Sequence, residues 1–185
     1  MIYFIRHGLD DERFIGGWSD ISLTPIGRKQ VEETIKFLKE QQLEFNQIFS
    51  SDIERAIETA EMIQKEFDVP LLLDSRLREQ NKGDFNGKLE KETKLKNPDF
   101  FLNINEETVY PNGESLLGFN ERVRINIPYF LEKDNSLIIT HRGVINAVYY
   151  MLDKKKITMD KEQFGVSHAS VHEYDPKTKT LRRIF

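Results

Sequence analysis

Short apolar runs alternate along this chain with longer stretches whose apolar residues recur every three or four positions. Met1 to Ile5 is apolar, β-branched or aromatic, stops at Arg6-His7-Gly8, and reads as a buried strand. Thr24-Pro25 then offers an N-cap followed by proline at the first helical position. Ile26, Val31, Ile35 and Leu38 follow at near-helical spacing, which predicts a helix from Pro25 to about Gln41. Gln47 to Ser51 reads as a short strand ending in two serines. Asp52 is placed to cap a second helix with one apolar stripe: Ile53, Ala56, Ile57, Ala60, Ile63 and Phe67. Leu71 to Asp74 looks like a further strand.

The pattern weakens over residues 80–114, which carry Gly83, Gly87, Pro98, Pro111 and Gly113 and hold one short helical stretch near Leu89 to Lys96. A long excursion of this kind in a small domain reads as a lid or specificity element. A third long helix is expected from Ser115, with Leu116, Phe119, Val123 and Ile127 inward and Pro128 kinking it or ending its regular part. Ser136 to Thr140 reads as a buried strand with a helix close behind it, Val144 to Met151. Two last strands, Ser170 to Tyr174 and Leu181 to Phe185, would be joined by a turn around Asp175-Pro176. No repeat, low-complexity tract or linker interrupts the order. The alternation predicts one α/β domain over residues 1–185, a three-layer α/β/α arrangement on a largely parallel central sheet.

Composition narrows the function. Of 185 residues, 27 are Lys or Arg and 31 Asp or Glu, four are His and none is Cys. Without cysteine there is no disulfide, no thiolate nucleophile and no Cys-ligated zinc. A net charge of −4 argues against a general binder of nucleic acid or anionic membranes. No apolar run approaches the ~20 residues of a membrane span, and the first is too short for a secretory signal, so a cytoplasmic protein is expected. The acidic balance also sits badly with a phosphate ligand unless positive charge is gathered locally.

Such a gathering is visible. Three strand-to-helix junctions carry Arg or His directly after the apolar run: Arg6-His7, Ser50 to Arg55, and Thr140-His141-Arg142. In open α/β sheets the ligand crevice lies beyond the carboxyl ends of the strands, so all three point to one edge. Arg55 falls in the first turn of its helix, where free N–H groups and the dipole favour an anion. Two guanidinium forks suit a phosphoryl group, and a neutral imidazole between them is a competent nucleophile toward phosphorus. A leaving alkoxide needs a proton, and Glu79, after a strand-like segment, is a carboxylic acid placed to give it. A metal site of His7, His141 and a carboxylate is the competing reading, disfavoured by the two arginines.

Arg6-His7-Gly8 near the N-terminus resembles the signature of the histidine phosphatase, or phosphoglycerate mutase-like, superfamily. The likeness runs on through Gly17 to Gly27, Ser50 to Ala60, Leu77-Arg78-Glu79 with Gly83 and Gly87, Pro111 to Ser115, and Thr140 to Gly143. It implies the α/β/α fold and a phosphomonoesterase of the compact phosphatase branch acting on a small phosphorylated substrate. A phosphoglycerate mutase is the alternative, though mutases of the family are usually longer, and a non-catalytic phospho-ligand binder is a third. His7 would become phosphohistidine, Arg6 and Arg55 would clamp phosphoryl oxygens, His141 would donate to the phosphoryl group, and Glu79 would serve as acid and then base. Neither a metal nor an organic cofactor is implied.

The chain also departs from the family. An Asn that touches phosphate is expected shortly after Arg-His-Gly, where this sequence has Leu9, Asp10, Asp11 and Glu12 on a shortened loop to Gly17. Arg13 is the candidate substitute, Gly17 a candidate phosphate contact, and Arg142 a candidate reader of a second anionic group. Asp10, Asp11 and Glu12 are expected to turn away, since carboxylates repel phosphate. His168 and His172 are read as surface or structural residues, Trp18 as a packing anchor, and the Lys-rich runs as solvated faces. Glu114 is open between a helix-start charge and a site residue, and Phe100 to Leu102 between core and lid.

Overall fold

Side-chain alternation in β1 (Ile2–Arg6) divides the molecule into its layers. In the computed structural model, which describes all 185 residues, Ile2 and Phe4 point to one side of the sheet and Tyr3 and Ile5 to the other. The six strands are β1, β2 (Gln47–Ser50), β3 (Leu71–Leu73), β4 (Ser136–Thr140), β5 (Val171–Asp175) and β6 (Thr180–Arg183), in the order β3-β2-β4-β1-β5-β6. The first four in that order are mutually parallel, and β5 and β6 complete the sheet antiparallel.

Helices α1 (Pro25–Glu40) and α2 (Glu54–Phe67) bury Val31, Ile35, Leu38, Ala56, Ala60 and Ile63 against Tyr3, Ile5, Ile48 and Ile139. On the opposite face α5 (Leu116–Leu131) and α6 (Arg142–Asp153) bury Phe119, Val123, Ile127, Val144 and Val148 against Ile2, Phe4, Phe49 and Ile138. This is the expected three-layer α/β/α arrangement. The register sets Arg6 beside Thr140 and Ser50 beside Ile139, so the three charged junctions emerge side by side at one edge.

Several elements differ from their sequence pattern for identifiable reasons. Asp52 does not cap α2; the N-cap is Ile53, with no side-chain hydrogen bond. Asp52 instead accepts two bonds from the Arg78 guanidinium at 2.6 Å each, a charge-assisted fork that outweighs one capping bond. α5 runs one turn past Pro128 to Leu131. The lost bond falls on the Arg124 carbonyl, on an exposed face where water can replace it. The excursion holds α3 (Glu90–Lys96), near its expected place, and also α4 (Pro98–Asn103), too short to show a period.

The turn after β1 is pinned by α1. Thr24 Oγ1 caps Gly27 N at 3.0 Å and donates to Leu9 O at 2.9 Å, which brings the first helical turn onto Gly8-Leu9. A Cβ on Gly27 would lie 2.1 Å from Leu9 O, and one on Gly8 2.5 Å from Gly27 O. Both obstacles are backbone and cannot rotate away. Gly27→Ala is therefore expected to destabilise the fold by about 2 kcal/mol. Thermal unfolding should show a midpoint lowered by roughly 4–8 °C, and an unchanged midpoint would refute the close approach.

Candidate active site

The tautomer of His7 is set by its neighbours. Nδ1 lies 2.7 Å from Gly8 O, which can only accept, so Nδ1 carries the proton. Nε2 is left as the lone-pair nitrogen and accepts from Arg55 Nε at 3.1 Å. Burial, then Arg55, His141 and Arg6, hold the His7 pKa well below that of an ordinary histidine, so the ring is neutral at neutral pH.

Arg55 leaves the first turn of α2 and is almost fully enclosed. Its Nη2 donates to Gly17 O at 2.9 Å and to His141 Nδ1 at 3.3 Å, and its Nη1 faces Ser19 Oγ at 3.3 Å. Gly17 adopts φ +72, and a Cβ there would stand 2.4 Å from Asn86 Oδ1, so glycine is what lets its carbonyl reach Arg55. Arg6 donates through Nη1 to Val166 O at 2.9 Å and through Nη2 to His168 Nε2. Its Nε is buried without a protein partner. Burial and the neighbouring Arg142 push Arg6 down to about 10, which leaves it charged at neutral pH.

His141 is fully buried, its ring centroid 5.1 Å from that of His7. Because Nδ1 accepts from Arg55, its proton is on Nε2 and is given to Ser51 Oγ at 2.8 Å. In this arrangement the His141 N–H addresses Ser51, not the open cleft. Burial, then Arg55, Arg6 and Arg122, lower its pKa well below the ordinary value.

Glu79 sits across the site with both oxygens placed by backbone. Oε1 accepts from Gln80 N at 2.8 Å and Oε2 from Gly143 N at 3.0 Å, in the first turn of α6. A Cβ on Gly143 would come within 2.1 Å of Oε1, so the glycine beside His141 makes the seat for this carboxyl group. The Glu79 carbonyl accepts from Trp18 Nε1 at 2.8 Å and from Arg122 at 3.0 Å. Trp18 thus ties the first loop to Glu79 by a hydrogen bond, with its ring exposed and not packed into a core as expected. Glu114 bridges Arg122, at 2.7 and 3.0 Å, to Asn81 N at 2.8 Å. It acts behind Glu79 and does not line the cleft.

The cleft has a volume of about 460 Å³. Arg6, His7, Gly17, Arg55 and Glu79 line its floor, and Arg142 its wall, where Arg142 pairs with Glu162 at 2.5 Å. Arg13 is not brought there: its side chain is 79% exposed and forked onto Asp11, two residues away. Asp11 turns away as expected, but Asp10 and Glu12 do not; both line the cleft. Asp10, fixed by a backbone bridge to Leu23, places Oδ2 3.4 Å from Arg55 Nε.

Two residues have a place here that the sequence reading did not give them. His168 stands on Arg6, its ring centroid 5.8 Å from that of His7, and burial with Arg6 pushes its pKa down to about 3. Only strand order could have shown this, because Ala169 N bonds His7 O at 3.1 Å where β5 runs beside β1. Lys82 lines the cleft half-buried, with Nζ 2.5 Å from Gln80 Oε1 and 3.2 Å from Tyr110 Oη. Burial, with Lys161 nearby, pushes it down to about 8. His172 is a core residue, bonded to Tyr149 Oη and Ser170 Oγ at 2.9 Å each. No group of three or more His, Cys, Asp or Glu side chains is disposed to hold a metal ion, and no helix is long and apolar enough to cross a membrane.

The family model described as histidine phosphatase superfamily (branch 1) matches residues 2–185. The chain belongs to that superfamily. Among curated relatives of this histidine phosphatase superfamily member, phosphoglycerate mutase-like protein 4 of Arabidopsis thaliana is 30% identical over 80% of the chain and 69% of its own length. The 2,3-bisphosphoglycerate-dependent phosphoglycerate mutase of Cytophaga hutchinsonii is 31% identical over 83% of the chain and 78% of its own length. Among solved structures, YhfR of Bacillus stearothermophilus superposes with a TM-score of 0.80 at 25% identity, covering 98% of this chain and 94% of that one. The fold is shared with the α-ribazole phosphatase of Shigella flexneri, with a TM-score of 0.81 at 21% identity over 99% and 94% of the two chains.

Proposed function

We propose that this protein hydrolyses a small phosphate monoester through a phosphohistidine on His7. The observation that carries this reading is the fixed tautomer of a neutral His7, with the Nε2 lone pair beside the guanidinium of Arg55. Nε2 attacks phosphorus, the ester P–O bond breaks, and the departing alkoxide takes the proton of the Glu79 carboxyl group. Glu79, now a carboxylate, takes a proton from water; the water oxygen attacks phosphorus, the P–N bond breaks, and phosphate leaves with His7 neutral again. Arg6 and Arg55 offset the charge gathering on the phosphoryl oxygens. The buried Arg6 Nε–H without a protein acceptor suits that duty. The test is phosphate release from a panel of esters by the purified protein. Release from none of them would defeat the reading.

The names of the curated relatives favour a second reading, in which the phosphoryl group returns to another oxygen of the substrate. Incubation with 3-phosphoglycerate separates the two: free phosphate marks the hydrolase, 2-phosphoglycerate the mutase.

Lys82, Lys161 and Arg142 on the cleft wall suit a substrate with a second acidic group. Lys82 is the best placed, because a half-buried ammonium hydrogen-bonded only to neutral partners gains most from an incoming carboxylate. Helix α4 and the residue that caps it contribute Phe101 and Ile104 to the cleft lining, which supports a lid or specificity role for the excursion. Lys82→Gln is expected to cut the ratio of kcat/KM for 3-phosphoglycerate over glycerol 3-phosphate by about tenfold. An unchanged ratio would remove Lys82 from substrate recognition.

A further inference from the structure

Every N–H of Arg55 already has an acceptor nearby. Nη2 is held by Gly17 O and His141 Nδ1, Nη1 by Ser19, and Nε lies between His7 Nε2 at 3.1 Å and Asp10 Oδ2 at 3.4 Å. Arg55 therefore has no vacant donor for a phosphoryl oxygen until His7 Nε2 turns its lone pair toward phosphorus and releases Nε–H, for which Asp10 is then the neighbouring competitor. The Gly17 carbonyl, Ser19 and His141 contacts are neutral. Asp10 is the anion among them.

We propose that Asp10 is an affinity-setting residue of this site: its carboxylate competes with a phosphoryl group for Arg55 and keeps the pocket's hold on phosphate weak. Geometry puts the competition in a poorly screened place. The Asp10 side chain is 12% exposed and that of Arg55 3%, so little water intervenes between them. Asp10 Oδ1 also lies 3.9 Å from His168 Nε2, and Glu12 Oε1 stands at the same distance. His168 is neutral, since Nε2 accepts from Arg6, and cannot cancel either carboxylate. An anion entering the cleft thus meets two cations already partly compensated from within.

The inference rests on the phosphatase reading for its meaning, because weak retention of phosphate favours release of the product of hydrolysis. Its test does not rest on turnover. Inorganic phosphate is titrated by calorimetry into the wild-type protein, Asp10→Asn and Asp10→Ala. The asparagine keeps the size and an acceptor for Arg55 but loses the charge, and the alanine guards against an amide that repositions. Both variants are expected to bind phosphate at least tenfold more tightly than the wild type. A carboxylate that merely holds Arg55 in place predicts the opposite sign, weaker binding in both. Equal or weaker binding in the two variants, or no measurable binding by any of the three, overturns the proposal. Failure of the phosphatase reading would appear separately, as no phosphate released from any ester by a wild-type protein whose affinities still follow the predicted order.

Discussion

His7→Ala is expected to lower phosphate release by roughly 10⁴-fold or more, the scale on which covalent catalysis collapses when its nucleophile is removed. The reason is positional as much as chemical. Gly8 O fixes the proton on Nδ1, and Arg55 faces Nε2, so no other nitrogen in the cleft presents an uncharged lone pair in this way. Neither His141, which is fully buried, nor His168, which is committed to Arg6, lines the cleft, so neither can stand in. The measurement is paired. Wild-type protein exposed to a labelled ester should yield an acid-labile, alkali-stable phosphoryl adduct, and His7→Ala none. An adduct that survives the substitution would place the nucleophile elsewhere. The depressed His7 pKa adds a sign: the ring is already neutral at pH 6.5, so its nucleophilicity should not be titrated away between pH 7 and 6.

Glu79→Gln should have the second-largest effect and a different signature. Removing a positioned acid costs about 10²–10⁴ in rate where the leaving group needs its proton. Glycerol 3-phosphate, whose alkoxide is a poor leaving group, should fall in kcat by about 10³, whereas p-nitrophenyl phosphate should lose less than about tenfold. The amide also brings a local conflict. Both Glu79 oxygens accept from backbone N–H groups, at Gln80 and Gly143, and glutamine must turn its NH₂ toward one of them. That displacement would depress both substrates alike, so the dependence on leaving group is what identifies proton transfer. A uniform loss on the two esters would reduce Glu79 to a structural role.

The elements that carry the chemistry were legible because each is a local pattern. The apolar run before Arg6, the Thr24-Pro25 start of α1 and the stripe of α2 need no knowledge of distant residues. Register then did what sequence order could only suggest, setting Arg6 beside Thr140. What was not legible depends on contacts across the chain. His168 reaches Arg6 from 162 positions away, through a strand running antiparallel to β1. Asp10 was expected to turn outward on the argument that carboxylates repel phosphate, which weighs only the bound ligand. Before a ligand arrives the buried Arg55 attracts a carboxylate, and the Leu23 bridge holds Asp10 where it can answer. Arg13 failed for the opposite reason: Asp11 was closer.

Trp18 is the one tryptophan in the chain. Its indole N–H ends on the Glu79 carbonyl, and the Arg78 guanidinium lies over its ring at 4.6 Å. The molecule thus carries a single indole fluorophore, beside six tyrosines, wired to the proposed acid–base residue Glu79. Emission from that ring is a local gauge of whether the loop holding Glu79 is docked, readable in the same cuvette during ligand titration, substitution or heating, with no label added.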